Sequence, residues 1–183
     1  YSYIAPIISS GYTLTDINSE TIEERVNSSS DNIISFQNNE TFLTKLTKSR
    51  VGQQTYLGSI MFSSSLNDIL FEEEYGMIDF DWVLKLFYNN KSVEVCKSLY
   101  IRKVEGKNLS LNENYRLNDY HYSLKTVSLY KEEFPVEVSL SEKRINGSMG
   151  RYYYLIGDMK NSRRYLLKSV INIKTILYLI TTF

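Results

Sequence analysis

The length, composition and charge of the chain limit what it can be. It has 183 residues, 43% of them hydrophobic, which suffices for one compact domain or for one domain with an appendage. Its 21 basic and 21 acidic side chains cancel, which argues against a general nucleic-acid binder, because such proteins usually carry a basic excess. The single cysteine, Cys96, excludes an intramolecular disulfide framework and indicates a reducing compartment such as the cytoplasm.

The first part of the chain alternates apolar segments with long polar ones. In chain order, the patterns predict a strand over 1–8, a surface segment over 9–40 with one short helix in 19–26, a short helix within 38–49, a buried strand over 55–63 and a helical turn over 65–70. Gly58 lies inside the predicted buried strand, which indicates that another group approaches the backbone closely there.

The second part opens with a clear helical pattern. Ile78, Trp82 and Leu86 recur at four-residue intervals, so a helix is predicted over 77–89, with Trp82 turned toward the core. The elements predicted after it are a strand or strand pair over 92–104, a helix over 114–132 and, beyond Pro135, short helices interrupted at Gly157 and Asp158. The change of character near residue 133 predicts two domains, 1–132 and 133–183.

Two aspartates open the predicted helix over 77–89, and three roles are open to them. A metal-binding pair must point the same way, whereas residues two apart on a helix point ~200° from each other. Acids at the start of a helix interact favourably with its dipole, and Asp81 would also form an ordinary surface pair with Lys85. Asp79 lies at the predicted cap, where a carboxylate kept ionised by the helix amides suits a general base that takes a proton from a hydroxyl.

Three stretches, taken in order, are similar to a known enzyme family. They are YLGSIMFS at 56–63, FEEEYGMIDFDWVLKLF at 71–87 and SLYIRKVEGKNLS at 98–110. Together they resemble the acceptor-side half of the family 2 inverting glycosyltransferases of the GT-A type. The stretch YLIGDMKNSRRYLLKSV at 154–170 is similar to helices often appended to these enzymes. The resemblance covers about residues 55–183 and implies an α/β fold, the C-terminal half of a GT-A domain, followed by a helical tail.

The resemblance implies roles for individual residues. Asp79 matches the catalytic aspartate of the family and Phe80 its neighbouring aromatic residue. The implied reaction transfers a sugar from a nucleotide-sugar donor to a hydroxyl with inversion, and Asp79 would deprotonate that hydroxyl. Gly58 and Ser59 would border the acceptor cleft.

Further matches lie at the end of the strand predicted over 92–104 and in the residues that follow it. Arg102, Gly106 and Ser110 correspond to the arginine, glycine and serine of a later family motif. Arg102 is therefore expected near the cleft, where a planar cation can meet a phosphate or a carboxylate. The alternative is a surface arginine paired with Glu105 or Glu113.

Two departures from the family pattern concern metal and diphosphate binding. Ile78 stands where the family has a glutamate before the catalytic aspartate, and Val104 where it often has a histidine. His121 is the lone histidine of the chain. We expect it at a surface or capping position, and not in the role of the family histidine that Val104 replaces.

Members of the family also have a half-domain that binds the nucleotide-sugar donor, built from repeated βα units with a metal-binding DxD motif. Residues 1–54 show no such pattern. The resemblance therefore implies a divalent metal, Mg²⁺ or Mn²⁺, whose ligands lie outside this chain, and a chain that forms only part of an enzyme. The implied partners are a nucleotide-sugar donor and a saccharide or lipid-linked acceptor.

The C-terminal segment also suits a protein that is not an enzyme. Residues 160–183 carry five basic side chains, no acidic one and many Leu and Ile residues, which predicts a basic amphipathic surface for peripheral membrane contact. Alternatively, its apolar face covers the rest of the domain. The rival to an enzyme is a non-catalytic α+β interaction module in which this tail docks a partner or a membrane surface.

Overall fold

A computed structural model describes residues 5–49, 51–76, 78–104 and 112–182 of the chain. Over these ranges the protein is mixed α/β, with five strands and six α-helices, which confirms the α/β part of the predicted fold. The chain divides into two compact units. The first comprises residues 1–45 and 49–108, and the second comprises residues 46–48 and 109–183.

The first unit is built on a mixed five-stranded sheet. Its strands are β1 (Ile7–Thr15), β2 (Thr21–Arg25), β3 (Ile33–Phe36), β4 (Ile60–Phe62) and β5 (Ser92–Lys103). The long strands β1 and β5 run parallel at its centre, and β3 pairs antiparallel with β5. The other edge of β1 pairs antiparallel with β4 at its start and with β2 at its end.

A bulge at Gly11 sets the register of the two central strands. Ser10 lies opposite Val95, but Gly11 lies opposite Ser98, so β5 contains extra residues at this point. A Cβ on Gly11 would come within 2.7 Å of the carbonyl oxygen of Arg25 and 3.2 Å of that of Lys97. Only glycine fits between these two backbones, and the shift that follows brings Tyr12 opposite Tyr100.

The first unit also contains two helices, α1 (Glu40–Leu46) and α2 (Phe80–Phe87). The helical pattern around Trp82 is thus confirmed, and Trp82 is buried as predicted. The core of this unit includes the fully buried side chains of Ile7, Phe42, Leu84, Leu86, Phe87 and Val93.

The second unit contains the remaining helices, which are α3 (Glu113–Ser128), α4 (Pro135–Leu155), α5 (Met159–Leu166) and α6 (Ile173–Ile180). The predicted interruption after α4 is present, because Gly157 has a φ of 84° and Asp158 caps α5 by accepting a hydrogen bond from the Asn161 amide. Helix α3 packs against α4, so this unit includes residues from both sides of the boundary predicted near 133.

Three local predictions were wrong. Residues 9–40 are not a surface segment, because they contain most of the central strand β1 and all of β3, and Ser9, Ser10 and Phe36 are buried. Residues 19–26 contain strand β2 rather than a helix, because backbone pairing with β1 outweighs the helix propensity of the Glu-Glu-Arg run. The stretch 55–63 is not a buried strand: it forms a 3₁₀ turn over Leu57–Ser59 and the short strand β4, whose Met61 is 73% exposed.

Candidate functional site

Asp79 and Asp81 differ sharply in their surroundings. Asp79 is exposed at the first position before α2, and its backbone carbonyl accepts the hydrogen bond of the Val83 amide at 3.0 Å. Asp81 is only 2% exposed and pairs with the Lys85 ammonium at 2.7 Å. This hydrogen bond raises the pKa of Lys85. The pair Asp81–Lys85 exists as predicted, but Asp81 is buried and not on the surface.

The exposure of Asp79 is not accompanied by the expected cap. Among the described residues of this turn, the amides of α2 donate no capping hydrogen bond to the Asp79 carboxylate. The helix amides therefore do not hold this carboxylate as the sequence pattern predicted. The opposite directions of Asp79 and Asp81 agree with the helical geometry that argued against a chelating pair.

Trp82 connects α2 to the segment before it. Its indole nitrogen donates a hydrogen bond to the Ile69 carbonyl at 3.0 Å, and its ring stacks on Phe71 with a centroid distance of 4.7 Å. Phe62, at the end of β4, meets the same ring edge-on at 5.6 Å. Trp82 is thus a packing residue that fixes the entry to α2.

Gly58 and Ser59 lie in the 3₁₀ turn before β4. A Cβ on Gly58 would fall 2.4 Å from the Tyr100 ring, so the close approach predicted at Gly58 is an aromatic ring over the backbone. The Ser59 hydroxyl donates to the Tyr56 carbonyl and accepts from the Tyr56 amide, both at 3.0 Å. Ser59 therefore stabilises this turn, and Gly58 admits the Tyr100 ring.

Arg102 lies over an aromatic cluster. Its guanidinium is 4.7 Å from the centre of the Tyr56 ring, a cation–π contact. Tyr56 in turn stacks on Tyr100 at 5.3 Å and contacts Tyr12 at 5.6 Å. The four residues form one half-buried surface, hereafter called the tyrosine face.

A shallow polar groove of about 320 Å³ lies at the end of β2, in the same unit as the tyrosine face. It is lined by Glu23, Glu24, Arg25, Val26 and Gln54. Arg25 lies opposite Tyr12 in the β1–β2 ladder and pairs with Glu23 at 2.9 Å. The groove thus places carboxylates, an amide and a guanidinium beside aromatic rings, which is a composition suited to recognition of hydroxyl-rich ligands.

The first unit also contains a buried polar network around Glu94 of β5. Glu94 is fully buried and accepts hydrogen bonds from the Asn27 side chain at 3.0 Å and from the backbone N–H of Gln54 at 2.8 Å. The Lys45 ammonium donates to the Gln53 carbonyl at 2.7 Å. Burial lowers the pKa of Lys45 to about 8, and the charge of Glu94 opposes this change. The network ties α1 to the segment that leads into the 3₁₀ turn.

The residues present do not fit a bound metal ion. In the part of the chain that the structure describes, no three His, Cys, Asp or Glu side chains are grouped so that they could hold a cation. Asp79 and Asp81 face different surroundings, and His121 lies exposed in α3 with its ring 5.5 Å from that of Tyr120. The Mg²⁺ or Mn²⁺ implied by the resemblance therefore has no candidate ligand set among these residues.

Two of the predicted site residues lie on the same surface. Gly58 and Arg102 belong to one surface, because Tyr100 covers Gly58 and stacks on the Tyr56 ring beneath Arg102. Gly106, Ser110 and Glu105 lie outside the described residues. Apolar spacing and motifs did not distinguish the three tyrosines of this surface among the 16 tyrosines of the chain.

Comparison of the chain with known protein families, curated proteins and solved structures found no match.

Proposed function

We propose that this chain is the acceptor-binding part of an inverting glycosyltransferase of the family 2, GT-A type, with Asp79 as the general base. The donor in this proposal is a nucleotide sugar, and the acceptor is a hydroxyl of a saccharide or of a lipid-linked saccharide. The proposal rests on the sequence resemblance together with the geometry of the first unit.

The observation that supports this function most directly is the division between the two carboxylates of α2. Asp81 is buried in an ion pair with Lys85, whereas Asp79 is exposed and accessible to a substrate. A general base must come within hydrogen-bonding distance of the proton it takes, so accessibility is its first requirement. Asp79 meets that requirement and Asp81 does not.

The tyrosine face supports the acceptor side of the proposal. The C–H face of a pyranose ring is apolar and packs against aromatic rings, while its hydroxyls need polar partners. Tyr12, Tyr56 and Tyr100 supply rings, and the groove at the end of β2 supplies Glu23, Arg25 and Gln54. Arg102 adds a planar cation for a phosphate, such as the one in a lipid-linked acceptor.

The proposed step balances without a redox partner. The acceptor O–H gives its proton to the Asp79 carboxylate as the oxygen forms a bond to the anomeric carbon. The bond between that carbon and the donor's diphosphate oxygen breaks, and the nucleoside diphosphate leaves with the electron pair. Attack from the face opposite the leaving group inverts the anomeric configuration.

Saccharide binding to the 183-residue chain tests the acceptor site. Saturation-transfer NMR with a panel of neutral and phosphorylated oligosaccharides should detect binding that Tyr56→Ala weakens by ~10-fold, a loss consistent with one aromatic contact. Arg102→Ala should weaken mainly the phosphorylated members. Arg164→Ala, which removes an exposed guanidinium from the second unit, is the matched control and should change nothing.

Donor binding gives an independent check. Because the resemblance assigns the donor half to residues outside this chain, nucleotide sugars should bind the 183-residue chain weakly with or without Mn²⁺. Micromolar, metal-dependent binding in calorimetry would place the donor site within the chain instead. Failure of every saccharide to bind would favour the rival, a non-catalytic interaction module.

A further inference from the structure

Helix α6 carries its apolar side toward solvent. Ile173, Ile176, Leu177 and Ile180 recur at helical spacing and form one stripe, and they are 80%, 45%, 60% and 64% exposed. Thr175, on the opposite side of the helix, is only 4% exposed, and its hydroxyl donates to the Val170 carbonyl at 2.9 Å. This is the reverse of the arrangement in a helix that covers a core.

Contacts within the second unit fix this orientation. The Tyr178 ring meets Tyr154 of α4 edge-on with a centroid distance of 4.8 Å. The Arg163 guanidinium of α5 donates to the Thr182 carbonyl just beyond α6. Both contacts lie at the C-terminal end of α6, where they set the rotation of the helix against α4 and α5, and this rotation turns the apolar stripe toward solvent.

Two more exposed aliphatic residues lie in the segment before α6. They are Leu167 and Ile171, and together with the four residues of the stripe they are hereafter called the α6 patch. An open groove of about 290 Å³ lies beside it, lined by Tyr154, Lys174, Leu177, Tyr178 and Thr181. Exposed apolar patches of this kind mark protein or membrane contacts.

The segment that carries the α6 patch has charge of one sign. Lys168 and Lys174 lie between residues of the patch in the chain and are exposed, as are Lys160 and Arg164 in α5. Residues 160–183 contain none of the 21 acidic side chains of the chain, so the negative charge lies elsewhere. The patch thus combines apolar side chains with a local cationic surface on a chain of zero net charge.

We propose that the α6 patch docks the protein peripherally on an anionic membrane surface. The stripe of α6 enters the boundary between headgroups and acyl chains, and Lys168 and Lys174 contact anionic headgroups. The mode is peripheral: within the described ranges, none of the helices has the length and apolar character needed to cross a bilayer. The inference rests on the second unit alone and is independent of the proposed transferase activity.

Charge complementarity favours a lipid surface over a protein partner. Protein interfaces are depleted in lysine, whereas an anionic bilayer attracts clustered lysines over its whole area. The α6 patch matches the second pattern, with lysines among aliphatic side chains. A lysine next to a buried aliphatic side chain can also extend its ammonium to the headgroups.

Vesicle co-sedimentation of the 183-residue chain tests the proposal. Binding should be strong to vesicles of phosphatidylcholine mixed with phosphatidylserine, weak to phosphatidylcholine alone, and reduced by salt, because screening shortens the range of surface charges to ~8 Å at physiological ionic strength. Lys168→Gln combined with Lys174→Gln should weaken binding by roughly 10- to 30-fold, as expected for two lysines at an anionic surface. Ile173→Ser combined with Leu177→Ser should weaken it at least as much.

Matched variants distinguish binding through the α6 patch from non-specific binding through other exposed apolar or basic side chains. Ile22→Ser with Leu99→Ser removes two exposed aliphatic side chains from the first unit, and Lys91→Gln with Lys131→Gln removes two exposed lysines elsewhere. Both controls should bind vesicles like the unaltered chain. Circular dichroism and thermal unfolding should be the same for all variants, since every substituted side chain is exposed.

Three results would overturn the proposal. The first is no binding to either vesicle type, and the second is equal binding to both, which would remove the role of the cations. The third is association of the chain with itself, independent of lipid and abolished by Ile173→Ser with Leu177→Ser. That pattern would make the α6 patch a contact between copies.

Discussion

Asp79 and Asp81 stand two residues apart at the start of α2 and occupy opposite environments. Asp79 is exposed, whereas Asp81 is buried and holds the Lys85 ammonium at 2.7 Å. The helical period explains the difference, because residues two apart point to opposite sides of a helix. The same two-residue spacing therefore yields one accessible carboxylate and one structural carboxylate.

This relationship predicts that substitutions at the two aspartates separate activity from stability. Asp79→Asn should lower kcat by ~100-fold or more, in the range lost with a general base, and leave the free energy of unfolding nearly unchanged. Asp81→Asn should lower the free energy of unfolding by about 1–3 kcal/mol, because it removes a charged hydrogen bond, and should cost little in rate. Sugar transfer by the complete enzyme that the proposed function implies measures the first effect, and denaturant unfolding of the 183-residue chain measures the second.

Lys85→Met is the control for the ion pair. It leaves Asp81 buried without its cation, so it should destabilise the protein at least as much as Asp81→Asn does, and it should also spare kcat. Equal losses of kcat in Asp79→Asn and Asp81→Asn would remove the assignment of Asp79 as the base.

The contact between Gly58 and Tyr100 yields a prediction about the tyrosine face. In Gly58→Ala the new Cβ would overlap the Tyr100 ring, which would have to leave its stack on Tyr56. We expect a loss of about 1 kcal/mol in the free energy of unfolding, because the ring is the movable end of a side chain. Weaker saccharide binding should accompany it.

A double-mutant cycle shows whether Tyr100 is the cause. Tyr100→Ala removes the overlapping ring, so adding Gly58→Ala to that variant should cost almost nothing further. If the two losses simply add, the effect of Gly58→Ala arises in the 3₁₀ turn and not at the tyrosine face.

Helices α2 and α6 show how far the sequence could predict this fold. Apolar spacing identified both segments as helical, and in α2 it also predicted the inward side, including Trp82. In α6 the same kind of spacing faces solvent, because the contacts of Tyr178 with Tyr154 and of Arg163 with Thr182 set the rotation of the helix. Periodicity identifies a stripe, but long-range contacts decide what the stripe faces.

The tyrosine face illustrates the same limit in a sheet. Alternation along β5 places Tyr100 and Arg102 on one side of the strand, and this could have been predicted. Tyr12 joins them only through the register shift at Gly11, and Tyr56 through the 3₁₀ turn. A bulge and a turn of this kind depend on which segments pair and in what register, and apolar spacing does not predict either.

The packing of α4 on α5 predicts different costs for two glycines in α4. A Cβ on Gly150 would come within 2.8 Å of the Leu166 side chain and 3.0 Å of its backbone nitrogen, whereas on Gly147 the nearest atom is the Ser169 Cβ at 3.1 Å. Alanine should gain about 1 kcal/mol of helix propensity at either position. We expect Gly150→Ala to be destabilising by about 1–2 kcal/mol overall, because the backbone of α5 cannot move aside.

Gly147→Ala serves as the matched control in the same helix. Its tight contacts, 3.1 Å to the Ser169 Cβ and 3.3 Å to the Arg151 guanidinium, are wider than the 2.8 Å at Gly150 and involve no backbone atom, so its thermal unfolding should stay close to that of the unaltered chain. Similar melting temperatures for the two variants would show that α5 yields to the new methyl group at Gly150.

The position of Lys45 predicts how stability depends on pH. Burial lowers its pKa to about 8, below the ordinary value of 10.5, so between these two values the unfolded chain binds more protons at this site than the folded chain. Stability must then rise with pH across that window, and the contribution of Lys45 should reach a few kcal/mol at most, because each pKa unit corresponds to ~1.4 kcal/mol. Below pH 8 the contribution is constant, since Lys45 is protonated in both states.

Other lysines and the tyrosines titrate in the same window, so the measurement is a difference between two proteins. Lys45→Met keeps the buried stem and removes the titrating group, although it gives up the hydrogen bond to the Gln53 carbonyl. Urea unfolding of both proteins from pH 7 to pH 10 should show the unaltered chain gaining stability relative to Lys45→Met as pH rises above 8. A difference that stays constant with pH would mean that Lys45 keeps its ordinary pKa, with the ammonium reaching water and the negative charge of Glu94 favouring its protonated form.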